Sequence, residues 1–477
     1  MKHAVWLRND LRLDDNPALY QACRHNCPVV AIYTITPEQW QIHGEARAKI
    51  GFRQDLLNNL VEPLAALGIP LEVISSPGFG TLPTDLATLC SQLNVTQLWY
   101  NQEVPLDEIN RDYAVSQTLW QQGIKCTPTL NDFLVPPDQL RTGQGGYYKV
   151  FTPWYRAWLK HLGQHSPMPL PIPEPLESGV VNLQSNNSMG TVACEFPGTE
   201  PYRDDLWPAS ENIARQRLRD FVEQRAIDYS ERRDYPAVNG TSTLSPYLAS
   251  GVLGVRRCLQ LIQQEAAFNG QTWQDSVWLR ELAWREFYRY LMLYFPQLSR
   301  LQPFRPETQF IQWEHDAGQI QAWQHGNTGY PIVDAAMRQL NRTGWMHNRL
   351  RMISASFYTK LMLHHWHGGE AYFMSRLLDG DFASNNGGWQ WSASTGCDAS
   401  PWFRVFNPTR QSEKFDPDGT FIRRFIPELA KLDRRSIHNP SSSQRQVCGY
   451  PEPVIDYREA RERVLRRFKA LAELNKA

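Results

Sequence analysis

The chain has 477 residues, 42% of them hydrophobic, and its 49 basic residues are balanced by 49 acidic ones. That length exceeds what one hydrophobic core organises, so two domains are expected. The apolar content excludes a disordered chain, and the zero net charge excludes a protein that coats nucleic acid by bulk electrostatics. No apolar run is long enough to span a bilayer, and the opening Met-Lys-His-Ala-Val-Trp6 runs into a strand-like pattern in place of a signal peptide, so a cytoplasmic protein is expected. The eight cysteines are scattered without a CxxC pair or a zinc spacing, which reads as reduced thiols and no metal site.

In chain order, β-branched runs at 3–8, 29–35, 71–75 and 97–100 predict strands, and amphipathic stretches such as 47–67 predict helices between them. Residues 1–130 should therefore form a doubly wound α/β domain with a parallel sheet. No GxGxxG turn is present, so dinucleotide binding at the first turn is not expected. Residues 131–210 read as an interdomain connection, rich in proline, serine and glycine from about 165 onward. From 211 to 477 helical periodicity, clearest at 277–294 and 332–341, predicts an all-α domain. Acidic residues outnumber basic ones in the first 150 positions. The balance reverses over 211–414, where nearly every cation is arginine. Those arginines can grip phosphates or pair with helix-surface carboxylates.

Three segments in this second half could carry chemistry. Thr241, Ser242, Thr243 and Ser245 precede a helical pattern, where hydroxyls suit either a pyrophosphate or ordinary N-capping. Trp278, Glu281, Trp284 and Arg285 fall at i, i+3, i+6 and i+7 along one helix, as a pocket for a flat polar ring or as a core stripe. Asn348, Arg351 and Met352 share one turn, and a buried Arg351 would require a carboxylate, for which Asp379 and Asp381 in the following glycine-bearing loop are available. Trp313, Trp366, Trp389 and Trp391 lie among these segments. An indole can lose one electron, stack on a base or fill a core.

At Val277-Trp-Leu-Arg-Glu-Leu-Ala-Trp-Arg-Glu-Phe-Tyr288, Gly329-Tyr-Pro-Ile-Val-Asp-Ala-Ala-Met-Arg338, Gly344-Trp-Met-His-Asn-Arg-Leu-Arg-Met352 and Asp379-Gly-Asp through Trp391, the sequence resembles the photolyase/cryptochrome family, and within it the bacterial class I cyclobutane pyrimidine dimer photolyases with a folate antenna. The resemblance covers most of the chain, from the opening Val5-Trp-Leu-Arg-Asn-Asp-Leu-Arg onward. It implies a helical domain holding FAD, in which photoexcited FADH⁻ lends one electron to a flipped-out dimer in UV-damaged DNA. By the same resemblance, Tyr229, Thr241, Ser242, Thr243, Leu244 and Ser245 hold the phosphates, while Trp278, Arg285, Arg351, Asp379 and Asp381 surround the flavin and Asn385 faces its N5. Glu281, Trp284, Asn348, Met352 and Trp391 map to the lesion pocket, with Glu281, Asn348 and Asn385 in catalytic roles. Flipping a damaged base pair out costs a few kcal/mol or less, and stacking on Trp284 and Trp391 returns about 1–3 kcal/mol per base. Arg233, Arg349, Arg404 and Lys414 map to phosphate contacts, and Trp313, Trp366 and Trp389 to an electron relay.

His43, Asp107, Glu108 and Arg300 match antenna positions for 5,10-methenyltetrahydrofolate, with two departures. Asp107 stands where an asparagine is familiar, and Ser299-Arg300 replaces a Cys-Lys pair. A deazaflavin antenna or none stays open. A (6-4) photolyase would show a histidine where this chain has Asn348, a cryptochrome photoreceptor would carry a long C-terminal extension, and a dark flavoprotein oxidoreductase would need a nicotinamide site. A monomer with no membrane and no obligate protein partner is expected.

Overall fold

The computed structural model describes residues 1–25, 27–176 and 194–474, so part of the expected connection, 177–193, lies outside the described residues. The chain divides into two compact units: Met1–Tyr148, Thr152–Gln224 and Ser242–Tyr294 form the first, and Lys149–Phe151, Arg225–Thr241 and Phe295–Ala477 the second. This division does not coincide with boundaries at 130 and 210. Residues 242–294 go with the sheet, and the expected connection itself carries a helix, Phe151–Gln164.

The first unit is built on five parallel strands, β1 (His3–Leu7), β2 (Val29–Ile35), β3 (Leu71–Ser75), β4 (Gln97–Asn101) and β5 (Lys125–Thr129), in the order β3-β2-β1-β4-β5. β1 and β2 are buried along their whole length, as strands covered by helices on both faces must be. Leu82 and Leu86 on one covering helix and Val115 and Leu119 on another close a core over Ala4, Trp6, Val30 and Ile32. β5 escapes the sequence pattern because it is a half-exposed edge strand containing Pro128, which only an edge tolerates. The helix expected over 47–67 is two, Arg47–Asn58 and Val61–Ala66. Pro63 has no N–H to continue a single helix, and the chain breaks just ahead of it.

The helices that carry residues of interest in this unit are α1 (Pro37–Ile42), α2 (Leu106–Gln121), α3 (Ser245–Ala249) and α4 (Val277–Tyr294). In the second unit they are α5 (Pro331–Thr343), α6 (Asn348–Ser356), α7 (Trp366–Met374), α8 (Phe382–Ala393) and α9 (Tyr457–Leu474). This unit is helical among the described residues apart from one isolated bridge between Glu314 and His364. Its core joins Trp323, Met337, Leu350, Phe357, Trp366, Trp389 and Phe421. A smaller cluster forms where Val464, Phe468 and Leu471 of α9 meet Ile311 and Leu363, with Trp313, Trp402 and Val405 packed on it. Between α6 and α7 the chain takes one π-helical turn, Phe357–Leu361.

Asp379 and Asp381 lie in a loop, as expected, and helix α8 follows directly from Phe382. The Asp381 carboxylate caps it by accepting from the Ser384 N–H. No helix among the described residues is long and apolar enough to cross a membrane.

Candidate functional site

In the second unit, Arg351 and Asp379 meet as expected. The Arg351 Nη2 donates to both Asp379 oxygens at 2.9 and 2.7 Å, and its Nε donates to the Met346 carbonyl at 2.8 Å. Asp379 is buried, so the pair fixes the approach to α8 from the side of α6. Asn348 opens α6 and is exposed, whereas Met352, one turn on, is half-buried. Asn385 sits on the first turn of α8, and its side-chain amide donates to the Glu370 carbonyl of α7 at 3.0 Å. Burial pushes the Glu370 carboxyl up to about 7. Three buried polar atoms on α7 and α8, Glu370 Oε1, Asn386 Nδ2 and Trp389 Nε1, have no hydrogen-bond partner among the described residues.

Trp389 is 2% exposed and Trp366 1%, whereas Trp313 is half-buried, so two of the three indoles lie in the core and one reaches toward the surface. Trp389 lies edge-on to Trp323, Tyr358 and Phe373, at centroid distances of 5.9, 5.7 and 5.0 Å. It rests on the backbone of α7 at Gly369, one turn beyond Trp366, where any Cβ would overlap its ring. The His365 ring stands 6.0 Å from Trp366 and 5.5 Å from Trp313. Trp391, on the same helix as Trp389, is half-buried and its carbonyl accepts from the Ser400 N–H.

Three of the four expected phosphate-gripping cations converge in this unit. Arg349 lies over the Phe415 ring at 4.4 Å and pairs with Asp234 at 2.7 Å, and Lys414 stands 5.1 Å from the same ring. Arg233 adjoins Asp234 and lies over Tyr229 at 5.5 Å. Arg349 therefore spends part of its charge inside the protein. Arg404 stands apart on an exposed turn whose backbone closes on the Pro401 carbonyl.

In the first unit, α4 presents Glu281, Trp284, Arg285 and Tyr288 as one half-buried stripe, while its opposite face is buried. Trp278 does not belong to that stripe. It is buried and meets Phe221 edge-on at 4.9 Å, the core placement that spacing left open beside a pocket for a flat ring. Arg285 donates to Asp132 at 3.3 Å and to the Leu248 carbonyl at 3.0 Å, and Arg289, one turn later, reaches the same carboxylate at 3.5 Å. The next residue along α4, Glu286, is buried. Both its oxygens accept, from the Leu134 and Val135 amides and from the Trp158 indole, yet burial still pushes its carboxyl up to about 7.

The hydroxyl run ends at α3, whose N-cap position is Leu244 with no side-chain cap, so none of these hydroxyls fills the capping role that was the alternative. Thr243 takes a positive φ of 53°, and Ser242, Thr243 and Ser245 are half-buried around the buried Leu244. Thr241 and Tyr229 belong to the second unit, where the Thr241 carbonyl accepts from Arg225.

The antenna residues come together at the carboxyl ends of the strands, where open α/β sheets bind ligands. His43 ends α1 after β2, and Asp107 and Glu108 open α2 after β4. The His43 Nε2 lies 3.2 Å from Asp107 and 2.8 Å from the Gln39 amide, and its Nδ1 lies 3.6 Å from Glu108. Burial, and after it the Glu103 carboxylate, pushes Glu108 up to about 7 and leaves its Oε2 without a partner. Arg300 belongs to the other unit, on the segment Pro296–Arg300.

Sequence reasoning missed Gln39, Asp132 and Glu370. The first two had a signal, in the i, i+4 spacing of Gln39 with His43 and of Arg285 with Arg289, which share a partner. FAD fits the residues present: hydroxyls not used as caps suit its phosphates, and an amide at Asn385 beside unmet donors and acceptors suits the polar edge of its ring.

Residues 278–470 match the family model described as the FAD binding domain of DNA photolyase, and residues 3–175 match the model described as DNA photolyase. The deoxyribodipyrimidine photo-lyase of Salmonella typhimurium is 45% identical over 474 residues, and that of Escherichia coli 43%, each comparison covering 98% of both chains. Among solved structures, a Synechocystis cryptochrome superposes with a TM-score of 0.87 at 28% identity over 98% of each chain. A bacterial class III photolyase from Agrobacterium tumefaciens gives 0.81 at 33% identity, covering 99% of this chain and 98% of that one. With identity this high along nearly the whole length, and with both family models matched, this chain belongs to the DNA photolyase family.

Proposed function

We propose that the protein is a deoxyribodipyrimidine photolyase that repairs cyclobutane pyrimidine dimers in UV-damaged DNA under blue or near-UV light. The observation that carries this reading is the 45% identity over 98% of both chains with a photo-lyase. FAD, bound and fully reduced, supplies the photoexcited electron that opens the cyclobutane ring and recovers it afterwards. The protein's own residues do the rest. Arg351, clamped by Asp379, and the amide of Asn385 orient the flavin ring, and the hydroxyls of Thr241 to Ser245 with Tyr229 hold the phosphates. Glu281 and Asn348 hydrogen-bond the pyrimidine edges, Trp284, Trp391 and Met352 pack the flipped dimer, and Arg233, Arg349, Arg404 and Lys414 hold the flanking phosphates. Trp389, Trp366 and Trp313 pass electrons inward to restore the reduced cofactor, a role supported by Trp313 reaching toward the surface while Trp366 and Trp389 lie in the core.

His43, Asp107 and Glu108 take the second chromophore, for which a methenyltetrahydrofolate is the proposed occupant. The protein acts as a cytoplasmic monomer with no obligate protein partner. The test is direct: purified protein is mixed with thymine-dimer DNA, illuminated or kept dark, and dimers are counted. Repair only in the light is expected. A light-responsive flavin without any dimer loss would favour the photoreceptor reading that the Synechocystis likeness raises.

A further inference from the structure

Lys360 is 1% exposed, sits in the π-helical turn Phe357–Leu361 and pairs with no carboxylate among the described residues. An ammonium in such a place needs compensation from elsewhere. The Lys360 Nζ donates to two backbone carbonyls, those of Pro401 at 3.3 Å and Arg404 at 3.1 Å. The wide turn closes with the Met362 N–H on the Phe357 carbonyl, and single π turns inserted between α-helices recur at functional sites.

The two carbonyls define the inner wall of a short exposed loop, 400–405. Its start is tied to the end of α8, with the Ser400 N–H on the Trp391 carbonyl and the Ser394 hydroxyl on the Ser400 carbonyl at 2.6 Å. Its middle is held by Trp402, stacked on Phe468 of α9 with the rings 3° from parallel. The Arg404 side chain is on the outside, exposed. Burial, and after it the Arg404 guanidinium, holds the Lys360 ammonium down to about 7.

We propose that Lys360 is a positioning residue for DNA binding, pinning the 400–405 loop from beneath so that Arg404 is presented to a phosphate beside the lesion. The proposal rests on the reading of Arg404 as a phosphate contact. Lys360 itself touches neither DNA nor flavin.

The experiment measures lesion-DNA affinity, repair per absorbed photon at saturating DNA, and amide hydrogen exchange of 400–405, in the flavin-loaded wild type and in K360M, K360Q, K360R, R404Q and K360M/R404Q. Lys360→Met should weaken binding about tenfold and speed exchange in the loop, while repair at saturation stays unchanged. Lys360→Arg, which keeps a charged donor, should restore most of the affinity, and Lys360→Gln, a shorter neutral donor, should fall between and serves if the methionine variant does not fold. The double variant should bind no more weakly than R404Q alone, since a residue acting through Arg404 has nothing left to act on. Wild-type affinity in K360M, or losses that add in full in the double variant, would overturn the pin. Wild-type affinity in R404Q would overturn the phosphate reading of Arg404, and the pin with it.

Discussion

Trp389 is enclosed by Trp323, Tyr358 and Phe373, so replacing it by phenylalanine keeps an aromatic ring in that enclosure and removes the readily oxidised indole. Trp389→Phe should abolish photoreduction of the oxidised flavin, followed by the bleaching of its visible bands, while repair by enzyme reduced beforehand stays near wild type. Loss of repair in the pre-reduced enzyme would move Trp389 to the lesion. Glu286 allows a prediction about pH. Its folded-state value is raised to about 7 from an ordinary 4.5, so between those limits the folded protein keeps a proton the unfolded chain has released. The stability this contributes is complete below 4.5 and is lost as pH rises through 7. Glu286→Gln should flatten that decline, by about 1–3 kcal/mol between pH 5 and 8, in urea unfolding of the holoprotein. An equally steep decline in the variant would assign it to another group.

Where α7 crosses α8, the Gly369 backbone touches the Trp389 ring with no room for a methyl group. Gly369→Ala should cost about 1–3 kcal/mol in unfolding free energy and slow photoreduction, because the two helices must part to admit it. At the start of α2, the double change Asp107→Ala and Glu108→Ala should release the second chromophore, read as loss of its near-UV band, and leave repair driven by light that the flavin absorbs directly.

These two sites differ in how far the sequence disclosed them. The strands 29–35 and 71–75 and helix α4 were legible to the residue, since β-branched runs and helical period leave a clear apolar record. Helix α8 was not, because Ser384, Asn385, Asn386, Gly387 and Gly388 form no apolar stripe, and only the cap at Asp381 marks its start. Trp278, two turns before Arg285 on nearly the same side of the helix, is buried where Glu281, Trp284, Arg285 and Tyr288 are half-buried, because Phe221 covers the start of α4, a packing that spacing does not record. Lys360 and Glu370 left no sign, since a buried charge inside a helical stretch reads like any surface one.

For the molecule as a whole, a net charge of zero means that DNA affinity depends on a few local cations. With Arg349 shared with Asp234 and Arg233, Arg404 and Lys414 as the other phosphate contacts of this reading, the logarithm of the binding constant should fall against the logarithm of salt with a slope of about −3. A slope near zero in a filter-binding titration would contradict the four-cation reading. The C-terminal helix α9 supplies Phe468 beneath Trp402, shares a cluster with Trp313 and Leu363, and donates from Arg463 to the Leu361 carbonyl. During synthesis this stretch leaves the ribosome after the sheet and the helices it packs on. A nascent chain can therefore close its sheet before the outermost indole and the Pro401–Arg404 turn have anything to rest on, and competence for light and for damaged strands arrives together, once α9 has been made.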